Sequence, residues 1–341
     1  MSSRSEIIDR FLANAGWAQA KRAALAGDAS FRRYERVFLN GKQAVLMDAP
    51  PEKEDVRPFM RAGKLLGDSG LAPPQILASD IANGLLLLED MGDDLYSHVL
   101  RRQPAEEEKL YVAATDVLID LYHKAEDADY GDFQSYDRAL LTRECALLSD
   151  WFLPAVLEKE QATAFGEQYM AIWQTLLSAH PELRSVFVMR DYHADNLLWL
   201  PERQGIKRVG LLDFQDAVIG SPAYDVVSFL EDARRDVSAS TVDHVLNHYL
   251  QRTGIGKNEF LTAYALLGAQ RNCKIIGIFV RLAVRDGKQQ YLSYLPRVWR
   301  HLEHDMKHPL LEPLREWMDA TIKTELRGAI SINKQKTQAT G

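Results

Sequence analysis

Apolar side chains at Ile7, Ile8, Phe11 and Leu12 recur at the spacing of one helical face, which predicts a helix over residues 5–14. The pattern then changes to short extended runs. R-R-Y-E-R-V-F-L and Q-A-V-L-M-D-A flank Asn40-Gly41, a pair whose backbone freedom suits a tight hairpin turn. Pro50 and Pro51 stop the second strand. A helix follows over residues 56–66, with Phe59, Met60, Gly63 and Leu66 along one side. Two further strands fall near residues 74–79 and 84–89. Up to residue 90, then, the chain is mostly strand with one helix set inside it.

Beyond residue 90 the period lengthens. Leu110, Ala114, Val117, Leu118, Leu121 and Tyr122 define an amphipathic helix over 106–124, and Phe165, Tyr169, Ile172, Trp173, Leu176 and Leu177 another over 162–179. Two short strands, 185–189 and 207–212, bracket a polar stretch and are expected as a pair. Residues 222–325 read as helical, including 241–252, 259–285 and 289–306. The last residues, S-I-N-K-Q-K-T-Q-A-T-G, lack apolar periodicity and read as a disordered tail. The expected organisation is α+β: a nucleotide-binding part with a leading helix over 1–90, a larger helical part over 91–325, and a tail over 326–341.

Composition narrows the function classes. The 341 residues are 46% hydrophobic and 26% charged, as in ordinary globular chains. A net charge of −7 argues against nucleic-acid binding, which needs a basic face. Only Cys145 and Cys273 occur, far apart, so neither a disulfide framework nor a zinc motif is indicated. The first residues carry frequent charges and no apolar core of a signal peptide, and no apolar run is long enough to span a membrane. A cytoplasmic location with no membrane contact and no obligate protein partner is the expectation.

The candidate chemistry lies in V-M-R-D-Y-H-A-D-N, residues 188–196, and in L-D-F-Q-D, residues 212–216. Asp191 and Asn196 stand in a D-x-x-x-x-N spacing, and Asp213 follows on the next strand. Phosphoryl transfer from ATP needs such parts: a carboxylate that orients the acceptor hydroxyl and takes its proton, and oxygen ligands for divalent cations on the phosphates. A zinc or iron site from His193, Asp191 and Asp195 is the alternative, but no further ligand has matching spacing. His301, His304 and His308 are expected on a solvated helix face and its end.

These motifs resemble those of the aminoglycoside phosphotransferase and choline kinase superfamily. Members carry H-G-D-x-x-x-x-N or H-R-D-x-x-x-x-N, then I-D-F or I-D-W, then G-x-P-x-x-D. The last appears here as G-S-P-A-Y-D, residues 220–225. The resemblance covers roughly residues 20 to 300. It implies a bilobal protein-kinase-like fold, with a small sheet-based N-lobe and a larger, mainly helical C-lobe. It implies ATP and Mg2+ as cofactors, Asp191 as catalytic base, and Asn196 and Asp213 as metal ligands. His193 would orient the loop, and Asp225 would anchor the loop's backbone. Asp216 has two readings, a sugar-site residue or a turn former. One departure stands out: Met189 occupies the place of the family's leading His, so that residue's bracing bond must be absent or supplied elsewhere.

For the nucleotide, A-G-D-A-S-F over 26–31 takes the place of a phosphate-covering loop, with Ser30 and nearby N–H groups as donors. L-L-L-L-E-D-M-G over 85–92 resembles the hinge, and backbone groups of Glu89, Asp90 and Met91 would meet the adenine. Their alternatives are an ordinary hairpin turn and a buried strand end. Kinase-like folds carry a lysine on the third strand for the phosphates. Here Met47 or Asp48 holds that place. Either Arg32 or Arg33 then supplies the charge, or catalysis is lost; alternation turns only one of the two inward, and Arg33 is the expected one.

D-A-S-F-R-R-Y, V-L-M-D-A-P-P, L-L-L-E-D, L-D-F-Q-D-A and residues 271–288 are most similar to one bacterial branch. Its members phosphorylate the anomeric hydroxyl of N-acetylmuramate and N-acetylglucosamine in peptidoglycan recycling. The partners so implied are ATP and a small amino sugar. A lactyl carboxylate would favour a basic group near the acceptor, for which Arg271, Lys274, Arg281 and Arg285 are candidates; a solvated basic stripe is the alternative for each. Two other readings stay open. One is a kinase of the same fold acting on an aminoglycoside, a choline-like amine or another sugar. The other is a non-catalytic nucleotide-binding pseudokinase, suggested by Met47, Asp48 and Met189. The short step from Asp213 to G-S-P argues against a protein kinase, since it leaves no room for a long activation loop.

Overall fold

The structure, a computed structural model, describes residues 3–25 and 31–328. In chain order the strands are β1 (Lys21–Ala24), β2 (Arg33–Leu39), β3 (Lys42–Asp48), β4 (Ile76–Asp80), β5 (Leu85–Glu89), β6 (Val186–Val188), β7 (Leu197–Trp199), β8 (Val209–Leu211) and β9 (Val218–Gly220). The helices are α1 (Arg4–Asn14), α2 (Arg57–Asp68), α3 (Tyr96–Arg102), α4 (Glu107–Lys124), α5 (Arg138–Leu147), α6 (Leu153–Val156), α7 (Lys159–Ser178), α8 (Ala223–Leu230), α9 (Ala239–Thr253), α10 (Lys257–Arg285), α11 (Leu295–Asp305) and α12 (Glu312–Thr321).

Packing divides the chain into two compact units. Among the described residues, one holds those up to Val117 together with Ala194–Ala217, and the other holds Leu118–His193 and those from Val218 onward. This differs from a single boundary at residue 90. The reason is that the β7–β8 hairpin is hydrogen-bonded into the first unit: the Trp199 N–H donates to the Asp94 carbonyl (2.8 Å) and the Leu211 N–H to the Ala72 carbonyl (3.0 Å).

The first unit is built on an antiparallel five-stranded sheet in the order β1-β2-β3-β5-β4. Asn40 and Gly41, with φ of 51° and 77°, make the tight turn between β2 and β3 that their residue types favour. A capping box between Ser3 and Glu6 starts α1, whose Ile8, Phe11 and Leu12 cover Val37, Ala44, Leu46, Leu85 and Leu87 on one sheet face. Alternation sends Tyr34, Arg36, Val45 and Met47 to the other face, where Tyr34 stands opposite Met47 and Arg36 opposite Val45.

The second unit is helical around α10, which is buried along most of its length. Its Gly277 lies so close to the end of α5 that a Cβ there would stand 2.2 Å from the Leu147 carbonyl oxygen. Cys145 on α5 and Cys273 on α10 are both buried and form no disulfide. The strands expected at 185–189 and 207–212 form, but they do not pair with each other. β6 pairs with β9 and β7 with β8, so the strand at 197–199, not the one at 186–188, is the partner of 209–211. Of the expected tail, Arg327 donates to the Met318 carbonyl (2.7 Å) and to Asp319 (2.8 Å), while residues 329–341 lie outside the described residues.

Candidate active site

The first unit carries Asn196 and Asp213 on adjoining segments of the β7–β8 hairpin. The Leu212 N–H donates to the Asn196 carbonyl (3.0 Å), and the Ala194 carbonyl accepts from the Ser97 N–H (3.1 Å). This brings the Asn196 amide to 3.5 Å from Asp213 Oδ2. Asp213 Oδ1 accepts from Gln215 (2.9 Å) and from Arg32 (3.3 Å). Asp213 has φ +56°, and Arg190 has φ +69°. Among the described residues only Gln19 and Asn40 share that left-handed conformation without being glycine, so strained backbone concentrates at the two polar motifs.

Arg32, not Arg33, reaches Asp213. Residue 32 continues the Tyr34–Arg36 face of β2, whereas Arg33 falls on the opposite register and its side chain is exposed. The expectation for Arg33 is therefore corrected. Met47 is buried on the same face as Tyr34, and Asp48 points to the α1 face, where Arg4 pairs with it. In protein kinases the lysine of the third strand pairs with a helix glutamate. Here α2 carries no glutamate, and Asp68, its single acid, pairs with Lys64. Met47 thus leaves no helix carboxylate stranded. Phe214 stacks on Phe59 of α2 at 4.9 Å, and Gly63 lies against the same ring, which fixes the segment after Asp213.

Of the residues expected around the nucleotide, Ser30 lies outside the described residues. The Glu89 N–H donates to the Gln75 carbonyl (2.8 Å) and the Glu89 side chain pairs with Arg203, so that N–H is committed to the sheet. The Asp90 carboxylate accepts from Arg36 (3.1 Å), which also holds Asp93. The Met91 side chain packs on Gly210, where a Cβ would stand 2.5 Å from the Met91 methyl.

The second unit carries the stem of the other motif. Met189 is buried, and its N–H donates to Asp225 Oδ2 (2.6 Å); the Arg190 N–H donates to Asp225 Oδ1 (2.9 Å). The Arg190 carbonyl accepts from the Ser228 hydroxyl (3.2 Å), and the Asp191 N–H donates to the Met189 carbonyl (2.9 Å). Burial pushes the Asp225 carboxyl up to about 7, against the pull of the two N–H donors. His193 is enclosed. Burial first, then Arg234 and Arg271, push its imidazole well below the usual value. The ring is therefore neutral, and its Nε2 accepts from Arg234 at 3.2 Å, since a guanidinium can only donate.

The basic candidates on α10 differ in setting. The buried Arg271 donates to the Glu231 carbonyl (3.2 Å). Lys274 bonds Glu144 (3.1 Å) and the Tyr224 hydroxyl (3.2 Å). Arg281 is half-buried, its guanidinium lowered by burial and by Arg285, which itself pairs with Asp286. Asp216, in the first unit, is exposed and accepts from Gln215 (3.3 Å). His301 is not on a solvated face: burial, Arg271 and Arg300 depress it to about 4. Sequence reasoning passed over Glu144, which gathers Tyr136, Arg190, Gln270 and Lys274. A glutamate inside a helix carries no motif signal, so nothing in the pattern marks it.

The donor chemistry suits one kind of cation. Among the described residues no group of three or more His, Cys, Asp or Glu converges on a metal position. One carboxylate beside one amide suits a hard divalent cation that keeps water and takes its remaining ligands from phosphate.

The chain matches the phosphotransferase enzyme family over residues 21–261 and belongs to it. It is thus an ATP-dependent kinase with the protein-kinase-like α/β fold. Among curated proteins it is similar to the N-acetylmuramate/N-acetylglucosamine kinase of Caulobacter vibrioides, at 35% identity over 96% of this chain and 99% of that protein. The protein of the same name from Pseudomonas aeruginosa is 39% identical over 84% of this chain and 85% of its own length. Solved structures share the fold at low identity. A choline/ethanolamine kinase family protein from Mesorhizobium loti has a TM-score of 0.63 and 12% identity, covering 93% of this chain and 100% of that one. A putative aminoglycoside phosphotransferase from Ralstonia eutropha has a TM-score of 0.58 and 17% identity, covering 93% and 98%.

Proposed function

We propose that this protein transfers the γ-phosphoryl group of ATP to the anomeric hydroxyl of N-acetylmuramate or N-acetylglucosamine, giving the sugar 1-phosphate and ADP in cell-wall recycling. The observation that carries the reading is the likeness, over nearly the whole chain, to relatives named for those two sugars, with the acid and amide set intact. Asp191 is the base: its carboxylate orients the anomeric hydroxyl and accepts its proton as the oxygen attacks phosphorus. An anomeric hydroxyl is more acidic than an ordinary sugar alcohol, which eases its deprotonation by a carboxylate. Asn196 and Asp213 are the residues that would hold magnesium, which, when bound with ATP, neutralises charge on the phosphate oxygens. Arg32, held on Asp213, supplies the fixed cation on the sheet face where Met47 stands. Its planar fork of donors suits phosphate oxygens. Asp225 fixes the loop's entry through two N–H groups, and neutral His193 braces it on Arg234.

The test is ADP release with Mg2+-ATP against amino sugars, choline and aminoglycosides, with Asp191→Asn as control. Turnover on the two amino sugars with an acid-labile phosphate product is expected. A 6-phosphate product, or turnover confined to aminoglycosides, would overturn the reading. Nucleotide binding without turnover on any acceptor would favour a pseudokinase.

A further inference from the structure

Met189 raises a mechanical question. Relatives with His at this place have a side chain there to hold the loop; a methionine has no polar hydrogen to donate. The loop nevertheless adopts a demanding conformation, since Arg190 has φ +69°. A left-handed residue other than glycine costs on the order of 1 kcal/mol and persists only when its surroundings hold it.

What holds it is visible around the Arg190 side chain. Its guanidinium donates to Glu144 Oε1 and lies 5.5 Å from the centre of the Tyr136 ring. Glu144, on α5, is 6% exposed. Its Oε1 also meets Lys274 Nζ at 3.1 Å, while Oε2 accepts from the Tyr136 hydroxyl and from Gln270 (3.2 Å). Gln270 bonds the Leu141 carbonyl (3.2 Å) as well, and Lys274 bonds the Tyr224 hydroxyl (3.2 Å). One buried carboxylate thus ties the residue before Asp191 to α5 and α10. Burial works against its charge, but Lys274 and Arg190 overcome this and hold the carboxyl below its usual value.

We infer that Glu144 is a positioning residue: it holds Arg190 in the left-handed conformation that leads into Asp191 and replaces the brace that Met189 cannot provide. The inference rests on the kinase reading of Asp191. Asp225 secures the N–H groups of residues 189 and 190, and Ser228 the carbonyl of 190. Neither fixes the Arg190 side chain. Glu144 does, and a side chain pinned at both ends leaves its backbone little freedom to relax to negative φ.

The test uses the full chain with Mg2+-ATP and each amino sugar. Glu144→Gln keeps the shape and removes the charge; Tyr136→Phe removes a single donor and serves if the first variant folds poorly. Arg190→Gly admits positive φ without strain and abolishes the ion pair. Expected for Glu144→Gln is a loss of kcat of about 10²-fold with KM for ATP changed less than about twofold, read below the variant's own melting transition, which should fall because Arg190 and Lys274 lose their buried counter-charge. Tyr136→Phe should show a smaller loss of the same kind. In the Arg190→Gly background, Glu144→Gln should cost nothing further, because the partner through which it acts is gone. Unchanged kcat in a folded Glu144→Gln protein, or losses that multiply in the double variant, would overturn the inference. Hydrogen exchange at the Met189 and Arg190 amides gives a readout independent of turnover: about tenfold faster exchange is expected in Glu144→Gln, and unchanged protection counts against the brace. If the unaltered protein turned over no acceptor, the kinase reading would fall, and exchange at these amides would still decide whether Glu144 holds the loop.

Discussion

Asp225→Asn separates the anchoring role of this carboxylate from its charge. In the fold the carboxyl is pushed up to about 7 by burial, from an ordinary value of 3.8. Below about pH 4 the group is protonated in both folded and unfolded chains, and its full contribution is present. Between pH 4 and 7 the unfolded chain ionises while the fold keeps the proton, so stability is lost as pH rises; above the folded value the curve flattens. Each unit corresponds to about 1.4 kcal/mol, so the whole window is worth about 4 kcal/mol and the interval from pH 5 to 7 about 2 to 3 kcal/mol. An asparagine resembles the protonated aspartate, with one acceptor oxygen and one donor, but it does not titrate. Urea unfolding of both proteins across pH 4.5–8 should therefore show the unaltered chain losing about 2 to 3 kcal/mol more than the variant between pH 5 and 7. All other titrating groups are common to the two and cancel. Parallel stability curves would refute the reasoning. Near pH 8 the variant should also turn over more slowly, since it meets only one of the two N–H donors of Met189 and Arg190 with an acceptor.

Three further outcomes follow from the geometry. Arg32→Gln should lower kcat/KM for ATP by about 10²-fold while Arg33→Gln changes it less than about twofold, because Arg32 bonds Asp213 and Arg33 turns to the opposite face of β2; steady-state kinetics with varied ATP checks this. Asp213→Asn should abolish turnover that the unaltered protein regains when magnesium is restored after chelation, and full activity in the variant would refute its assignment as a ligand. Gly277→Ala should destabilise the chain by about 3 kcal/mol or more, seen as an earlier urea midpoint, since the new methyl group meets backbone at 2.2 Å and not a side chain that can swing away.

The local signals legible in the sequence were those with a short reach. Asn40-Gly41 announces its hairpin, and the spacing of Ile8, Phe11 and Leu12 announces α1, because each depends on a few adjacent residues. Asp191, Asn196, Asp213 and Asp225 stand out in the sequence because a fixed spacing singles them out as candidates. What the sequence concealed was long-range choice. Ser185–Met189 and Lys207–Leu212 both look like strands, yet nothing local says that β6 prefers β9 and β7 prefers β8. The same limit applies to Arg32 and Arg33: alternation states that one turns inward, but which one depends on the register of β2 against β3. Glu144 and Arg190 are 46 residues apart in the chain, and their pairing exists only once α5 has packed beside the loop.

The two cysteines have an experimental consequence. Cys145 follows Glu144 on α5, and Cys273 precedes Lys274 on α10, so each thiol adjoins one arm of the buried network. Burial raises both thiols, Cys273 to about 12, which keeps them as unreactive neutral groups while the helices stay packed. The chain therefore carries its own pair of reporters. A thiol reagent added in a short pulse should mark these helices only when they separate, and the rate of marking measures how often α5 and α10 come apart around Glu144 and Lys274.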